Sequence, residues 1–131
     1  MLKPKLILCA EGVVVDSNTN TISLFSIIEE IVTTELPSIL AKLSVISVME
    51  REANDPEAYE LIFRLNNNKK ELWTTSVTAN FNGKYRARNV VVINGIPVEE
   101  PGELRFIITY QNNLFQEYVI PVQKAEILNE S

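Results

Sequence analysis

Residues 104–111 alternate cleanly: Leu104, Phe106, Ile108 and Tyr110 fall on one side, and Arg105, Ile107, Thr109 and Gln111 on the other. A period of two is the pattern of a strand with one buried face. Asn112-Asn113 is a turn signal, and LFQEYVIPV at 114–122 returns after it, so these runs form a hairpin. Pro121 has no backbone N–H to donate, which suits an edge or a bulge in the returning strand. Three further runs carry the same period. In 58–65, Tyr59, Leu61, Phe63 and Leu65 point inward, and Glu60, Ile62 and Arg64 outward. In 71–81, Trp73, Thr75, Val77, Ala79 and Phe81 oppose Thr74, Ser76, Thr78 and Asn80. In 41–51, Leu43, Val45, Ser47 and Met49 oppose Ser44, Ile46 and Val48. Stretch 5–15 begins with Leu6, Leu8 and Ala10 against Ile7 and Cys9, until Glu11-Gly12 interrupts it. A glycine there marks a bulge or a close backbone approach.

The run 84–93 carries Lys84, Arg86 and Arg88 on its polar side. A turn of Asn82-Gly83 alone sets Arg86 opposite Ala79 and Arg88 opposite Val77, mixing charge with core. A three-residue loop, 81–83, sets Arg86 opposite Thr78 and Ala87 opposite Val77. One residue of slip turns every side chain to the other face, so the odd loop is favoured. Glycine at its third position supplies the left-handed backbone such a loop needs. The expectation is a hairpin with Tyr85 and Ala87 inward. Its basic face is Lys84, Arg86 and Arg88, extended by Lys69 and Lys70 and flanked by Thr74, Ser76, Thr78 and Asn80.

Segment 22–33 is ambiguous. Leu24, Ile27, Ile28 and Ile31 have helical spacing, and Ser26 with Glu29 has the form of a capping box. The density of β-branched residues and the neighbouring strands favour a strand. LPSILAKL at 36–43 has room for a short helical turn. Turn signals such as DSNTN, NDPE, NNNKK and EEPG break the chain every 8–12 residues, the spacing of an all-β sandwich or barrel.

Composition adds bounds. The length of 131 residues suits one domain, 1–131, with a loose tail at 126–131. Apolar residues at 46% and charged residues at 22% are those of an ordinary globular chain. The net charge of -5, with Glu as fifteen of the seventeen acids, disfavours a nucleic-acid partner. Cys9 stands alone, so no intrachain disulfide forms. The opening MLKPKLILCAEGVVVD has the look of a leader, but its apolar run at 6–10 is shorter than the about 7–15 residues a leader needs. No run approaches the ~20 apolar residues of a membrane span. The expected setting is the reducing cytoplasm, away from membranes.

CAEGVVVD, TISLFSIIEEI, LPSILAKLSVISV and PGELRFIITYQNN followed by YVIPV together resemble a family of small bacterial proteins of unknown function. The resemblance covers nearly the whole chain and implies an immunoglobulin-like β-sandwich without catalytic residues. An antibody-type domain has paired cysteines around a tryptophan, which Cys9 alone does not provide.

Candidate chemistry is sparse. The chain has no histidine, which removes the commonest general base and zinc ligand. Asp16 and Asp55 are the only aspartates, and both sit in turn sequences; Glu99 and Glu100 make a cation site only if their loop meets Asp16. Glu11 is the best single carboxylate for a two-carboxylate glycosidase, against the plainer reading of a charge guarding a bulge or edge. Cys9 reads as a small buried hydrophobe rather than a reactive thiol. The four glycines stand apart, so there is no phosphate loop. The sequence therefore predicts an immunoglobulin-like sandwich of seven or eight mainly antiparallel strands, not an enzyme and without cofactor or metal. It would act as a protein-interaction module or homodimer, with Lys84, Arg86, Arg88, Lys69 and Lys70 as its docking face. The alternatives are a small-molecule or carbohydrate-binding accessory domain and, more remotely, an enzyme working with carboxylates alone.

Overall fold

The computed structural model describes residues 1–126, so all but the first residue of the expected tail at 126–131 lies outside the described residues. Nine strands follow one another: β1 (Lys3–Asp16), β2 (Thr21–Ile27), β3 (Ile31–Thr33), β4 (Ser38–Glu50), β5 (Ala58–Asn67), β6 (Lys70–Asn80), β7 (Arg86–Val98), β8 (Gly102–Tyr110) and β9 (Asn113–Lys124). They form two sheets, β2-β1-β4-β7 and β3-β9-β8-β5-β6. The fold is the all-β, mainly antiparallel sandwich that the alternation implies. It has nine strands rather than seven or eight because segment 22–33 is extended and divides into β2 and β3. β3 pairs with β9 in parallel, Ile31 against Val122. No helical turn occupies 36–43, since β4 starts at Ser38. The order β1-β4-β7 over β9-β8-β5-β6 is the A-B-E over G-F-C-C′ order of immunoglobulin sandwiches.

The inward sets of β5 and β8 meet as expected. Phe63 packs edge-on against Phe106 at 5.6 Å, and Trp73 lies over Phe106 at 6.2 Å. Tyr59 meets Phe81 and Tyr110 edge-on at 5.8 and 5.4 Å. Such geometries satisfy the ring quadrupoles while burying large apolar area. The closing hairpin forms with Tyr110 opposite Asn113. Pro121 pairs with Glu103 one residue before the β3–β9 ladder begins, where the outer side of β9 is still open.

Two corrections concern the middle of the chain. The expected hairpin of 71–81 with 84–93 does not exist: β6 edges one sheet and β7 edges the other. The turn itself forms, with Lys84 N donating to Phe81 O at 2.9 Å and positive φ at Asn82 (52°) and Gly83 (78°). Its arms then diverge, because β4 offers β7 a ladder running from Ser38 opposite Val98 to Glu50 opposite Arg86. The second correction is at Glu11-Gly12, where β1 has no bulge. It exchanges partners there, from β4 (Ala10 opposite Ser44) to β2 (Gly12 opposite Phe25).

The β1–β2 arm then curls back. Arg88 Nη2 donates to Asn20 Oδ1 at 3.3 Å, yet Arg88 stands opposite Val48, which is opposite Leu6. A straight arm would carry its turn roughly 36 Å from Leu6 at about 3.3 Å per residue. Folding over the outer face explains why Ser44 and Ile46, which point away from the other sheet, are fully buried.

Buried polar groups tie the pieces together. Gln116 on β9 donates from Nε2 to Leu6 O at 3.0 Å and accepts from the Ser47 hydroxyl, joining the sheets beside the register slip between Pro4 and Leu6. Asn67 holds the loop between β7 and β8. Its Oδ1 accepts from Glu99 N and Glu100 N at 3.0 Å, and its Nδ2 donates to Glu100 O and Glu103 O at 3.1 Å. Asn68 Oδ1 accepts from Glu103 N at 2.9 Å, and a Cβ on Gly102 would collide with that oxygen. Gly102 also holds φ at 130°, so the position needs glycine twice over.

Asn67→Ala strips partners from two loop N–H groups and two carbonyls at once. Urea unfolding should show a loss of about 2–4 kcal/mol. A loss below about 0.5 kcal/mol, the level of an ordinary surface change, would show that the loop holds itself.

Candidate interaction surface

The structure separates the predicted basic residues. Arg86 and Arg88 lie on the first residues of β7, with Lys84 just before them, whereas Lys69 and Lys70 lie at the β5–β6 turn. β6 runs from Lys70 to Asn80, so the two groups sit at opposite ends of the sandwich, roughly 30 Å apart at about 3.3 Å per residue. The Thr74, Ser76 and Thr78 face belongs to the other sheet, where Thr78 donates to Glu60 at 2.7 Å.

Each basic residue has its own neighbours. Arg86 Nη2 donates to Glu50 Oε1 at 2.5 Å, and Lys5 Nζ stands 3.6 Å from the other oxygen of the same carboxylate. The Arg86 hydrogen bond, helped by Lys5, holds the Glu50 carboxyl below the usual range. Lys70 pairs with both oxygens of Glu99, at 3.0 and 2.9 Å. Tyr85 is 59% exposed rather than inward. It lies where the chain crosses between sheets, so no strand parity applies, and its ring stacks on the Arg51 guanidinium at 5.4 Å.

Arg51 is the charged residue the sequence reading overlooked. Only 8% exposed, it sits between Phe81 (5.6 Å) and Tyr85, and donates to Lys84 O at 2.8 Å and Asp55 O at 3.1 Å. Its position beside a turn sequence and at the end of an apolar alternation was the available signal.

Glu11 is exposed and lines an open groove of about 430 Å³ with Ser26, Ile28, Glu29, Glu30 and Leu40. Cys9 is fully buried, and burial pushes its thiol up to about 12, so it is protonated near neutrality. Asp16 accepts from Asn18 N at 2.9 Å as a turn residue. Asp55 accepts from Glu52 N at 2.8 Å and pairs with the Met1 amine. Asp16 lies in the arm near Arg88, ten residues of β7 away from Val98, so the Glu99–Glu100 loop does not meet it. Among the described residues, no three His, Cys, Asp or Glu side chains gather as a metal site.

Exposed apolar residues define another surface. The outer face that begins with Arg86 and Arg88 continues as Val90 and Val92, 41% and 49% exposed; Leu6, also exposed, lies two strands away on β1. Toward the far end, Ile39 pairs with Pro97, and both are exposed. The signal was legible: the polar side of the 84–93 alternation turns apolar halfway, at Val90.

Strand order and site chemistry together define an immunoglobulin-like β-sandwich whose exposed features are a strand edge and an apolar face. The chain belongs to the family of unknown function DUF6941, whose model matches residues 5–123. Its fold is similar to the crystal structure of an immunoglobulin-like protein from Pseudomonas aeruginosa, at 13% identity and a TM-score of 0.44, over 94% of this chain and 97% of that one. No curated protein matches the chain in sequence.

Two outcomes check these environments. Cys9 should react with a thiol-specific disulfide reagent at least about 100-fold more slowly in the native protein than in urea. Comparable rates would contradict its burial. Glu50 is depressed in the folded state, so it contributes stability above its unfolded value and loses that contribution as pH falls through its folded value. In an NMR titration Glu50 should have a midpoint below that of a glutamate in an unstructured peptide, and Arg86→Ala should raise it. An unmoved midpoint would assign the shift elsewhere.

Proposed function

We propose that this chain is a non-catalytic protein-interaction or assembly module working in the cytoplasm, with a protein as its partner rather than a nucleic acid or a membrane. The observation that carries the reading is the pair of exposed apolar side chains, Val90 and Val92, on the edge strand β7. Apolar side chains exposed along a sheet edge suit docking, and the edge adds backbone hydrogen bonds to any extended partner. The net charge of -5 supports the same reading against polyanions.

A second reading, a small-molecule or carbohydrate-binding accessory domain, draws on the groove of about 430 Å³, a volume suited to such ligands. Its lining of glutamates and aliphatic side chains includes no aromatic ring on which a sugar could stack. The module reading is therefore preferred.

Immobilised wild-type protein and the Val90→Lys plus Val92→Lys variant, both checked for native circular dichroism, should be compared on extract from the producing cells. The wild type should retain a protein that the variant loses, another copy of the chain included. Identical retention by both would overturn the module reading.

A further inference from the structure

β6 ends the five-stranded sheet, and among the described residues no strand pairs with its outer side. Edges are usually protected by shortness, charge, proline or a break in the strand. β3 has only three residues, and β2 is curled with its arm. β7 carries Pro97 and breaks its alternation at Asn94-Gly95, where Gly95 holds φ at 64°. β6 has none of these devices. After the slip beside Leu65 its ladder with β5 is unbroken from Trp73 to Asn80, and that stretch has no charge, proline or glycine.

Its alternation also holds throughout. Thr74, Ser76, Thr78 and Asn80 are exposed on the outer face. Trp73, Thr75 and Val77 point inward yet are only half-buried, so the apolar interior reaches the surface along this edge.

We infer that a second copy of this chain adds its own β6 here, antiparallel, about a two-fold axis through Ser76. The inference goes beyond the module reading, whose Val90 and Val92 lie on the other sheet. In this register Trp73 of one copy lies opposite Ala79 of the other, large against small, and Thr75 opposite Val77. On the outer face Thr74 meets Thr78, and Ser76 meets its own copy. Within each chain Arg64 pairs with Thr74 and Glu60 with Thr78. Each such outer row across the join therefore runs from Arg64 of one copy to Glu60 of the other, and the symmetry repeats it. In-register parallel addition would close those rows with like charges.

Trp73 is the sole tryptophan, so its emission reports on this edge alone. Wild type should dimerise at micromolar concentration in sedimentation equilibrium, with emission moving to shorter wavelength as the dimer forms. In a glutathione redox buffer Ser76→Cys should give a disulfide-linked dimer, since directly opposed Cα atoms lie within disulfide reach. Thr78→Cys should not, because Thr78 and its copy stand roughly 13 Å apart along the strands at about 3.3 Å per residue. Cys9 is fully buried and does not compete. Thr75→Lys puts an inward charge on the edge and should weaken self-association at least about tenfold. Wild type monomeric to about 100 µM, a dimer with unmoved emission, equal linking of the two cysteine variants, or an unweakened Thr75→Lys protein of native circular dichroism would each overturn the β6 pairing. A monomeric wild type that still retains a protein through Val90 and Val92 leaves the module reading standing. Identical retention in that capture experiment sinks the module reading and leaves the β6 pairing to these measurements.

Discussion

Arg51 fixes the point where the chain leaves one sheet for the other. Its guanidinium lies between the Phe81 and Tyr85 rings and donates to Lys84 O and Asp55 O. Arg51 N also donates to Tyr85 O at 2.9 Å. A guanidinium has five donors and a flat face, so it can bind backbone carbonyls and stack on rings at once. Held this way, the chain after Gly83 passes to β4 rather than folding back along β6. The ladder of β4 with β7, the open outer side of β7 and the separation of the two basic groups all follow from that crossing.

Sequence legibility tracked the range of the interaction. Alternation in 58–65, 71–81 and 104–111 gave the buried sets correctly, because side-chain parity along a strand is local. The closing hairpin was legible for the same reason: its turn and both arms lie within about twenty residues. The turn at 81–84 was read correctly as a turn and wrongly as a hairpin. Asn82 and Gly83 specify left-handed backbone, but nothing in a turn specifies whether its arms pair. That depended on Ser38–Glu50, distant in sequence. Tyr85 was misplaced because parity was carried through a crossing where no strand exists. The curled arm was not legible, since the evidence for it is one contact between Arg88 and Asn20 and the burial of Ile46.

The interior uses its polar side chains for construction. Gln116 joins the sheets, and Asn67 and Asn68 hold the loop of Glu99–Glu103. A carboxamide both donates and accepts, so it can satisfy irregular backbone on two sides without bringing a charge into the core. Asn66 Oδ1 is the exception among the described residues, buried without a partner. Asn67 and Asn68 of NNNKK thus have individual tasks beyond their general suitability for turns. The same economy shapes Cys9, whose burial leaves it a small apolar filler.

The bond from Gln116 to Leu6 O spans 110 residues of sequence. A ribosome makes Leu6 well before Gln116. Until the last strand emerges, that carbonyl lacks its partner and β8 exposes a side meant for β9. Helical proteins can settle piecemeal during translation, but a sandwich laced from first strand to last cannot. Closure of the two sheets therefore waits until β9 is free to pair with β8 and to reach Leu6.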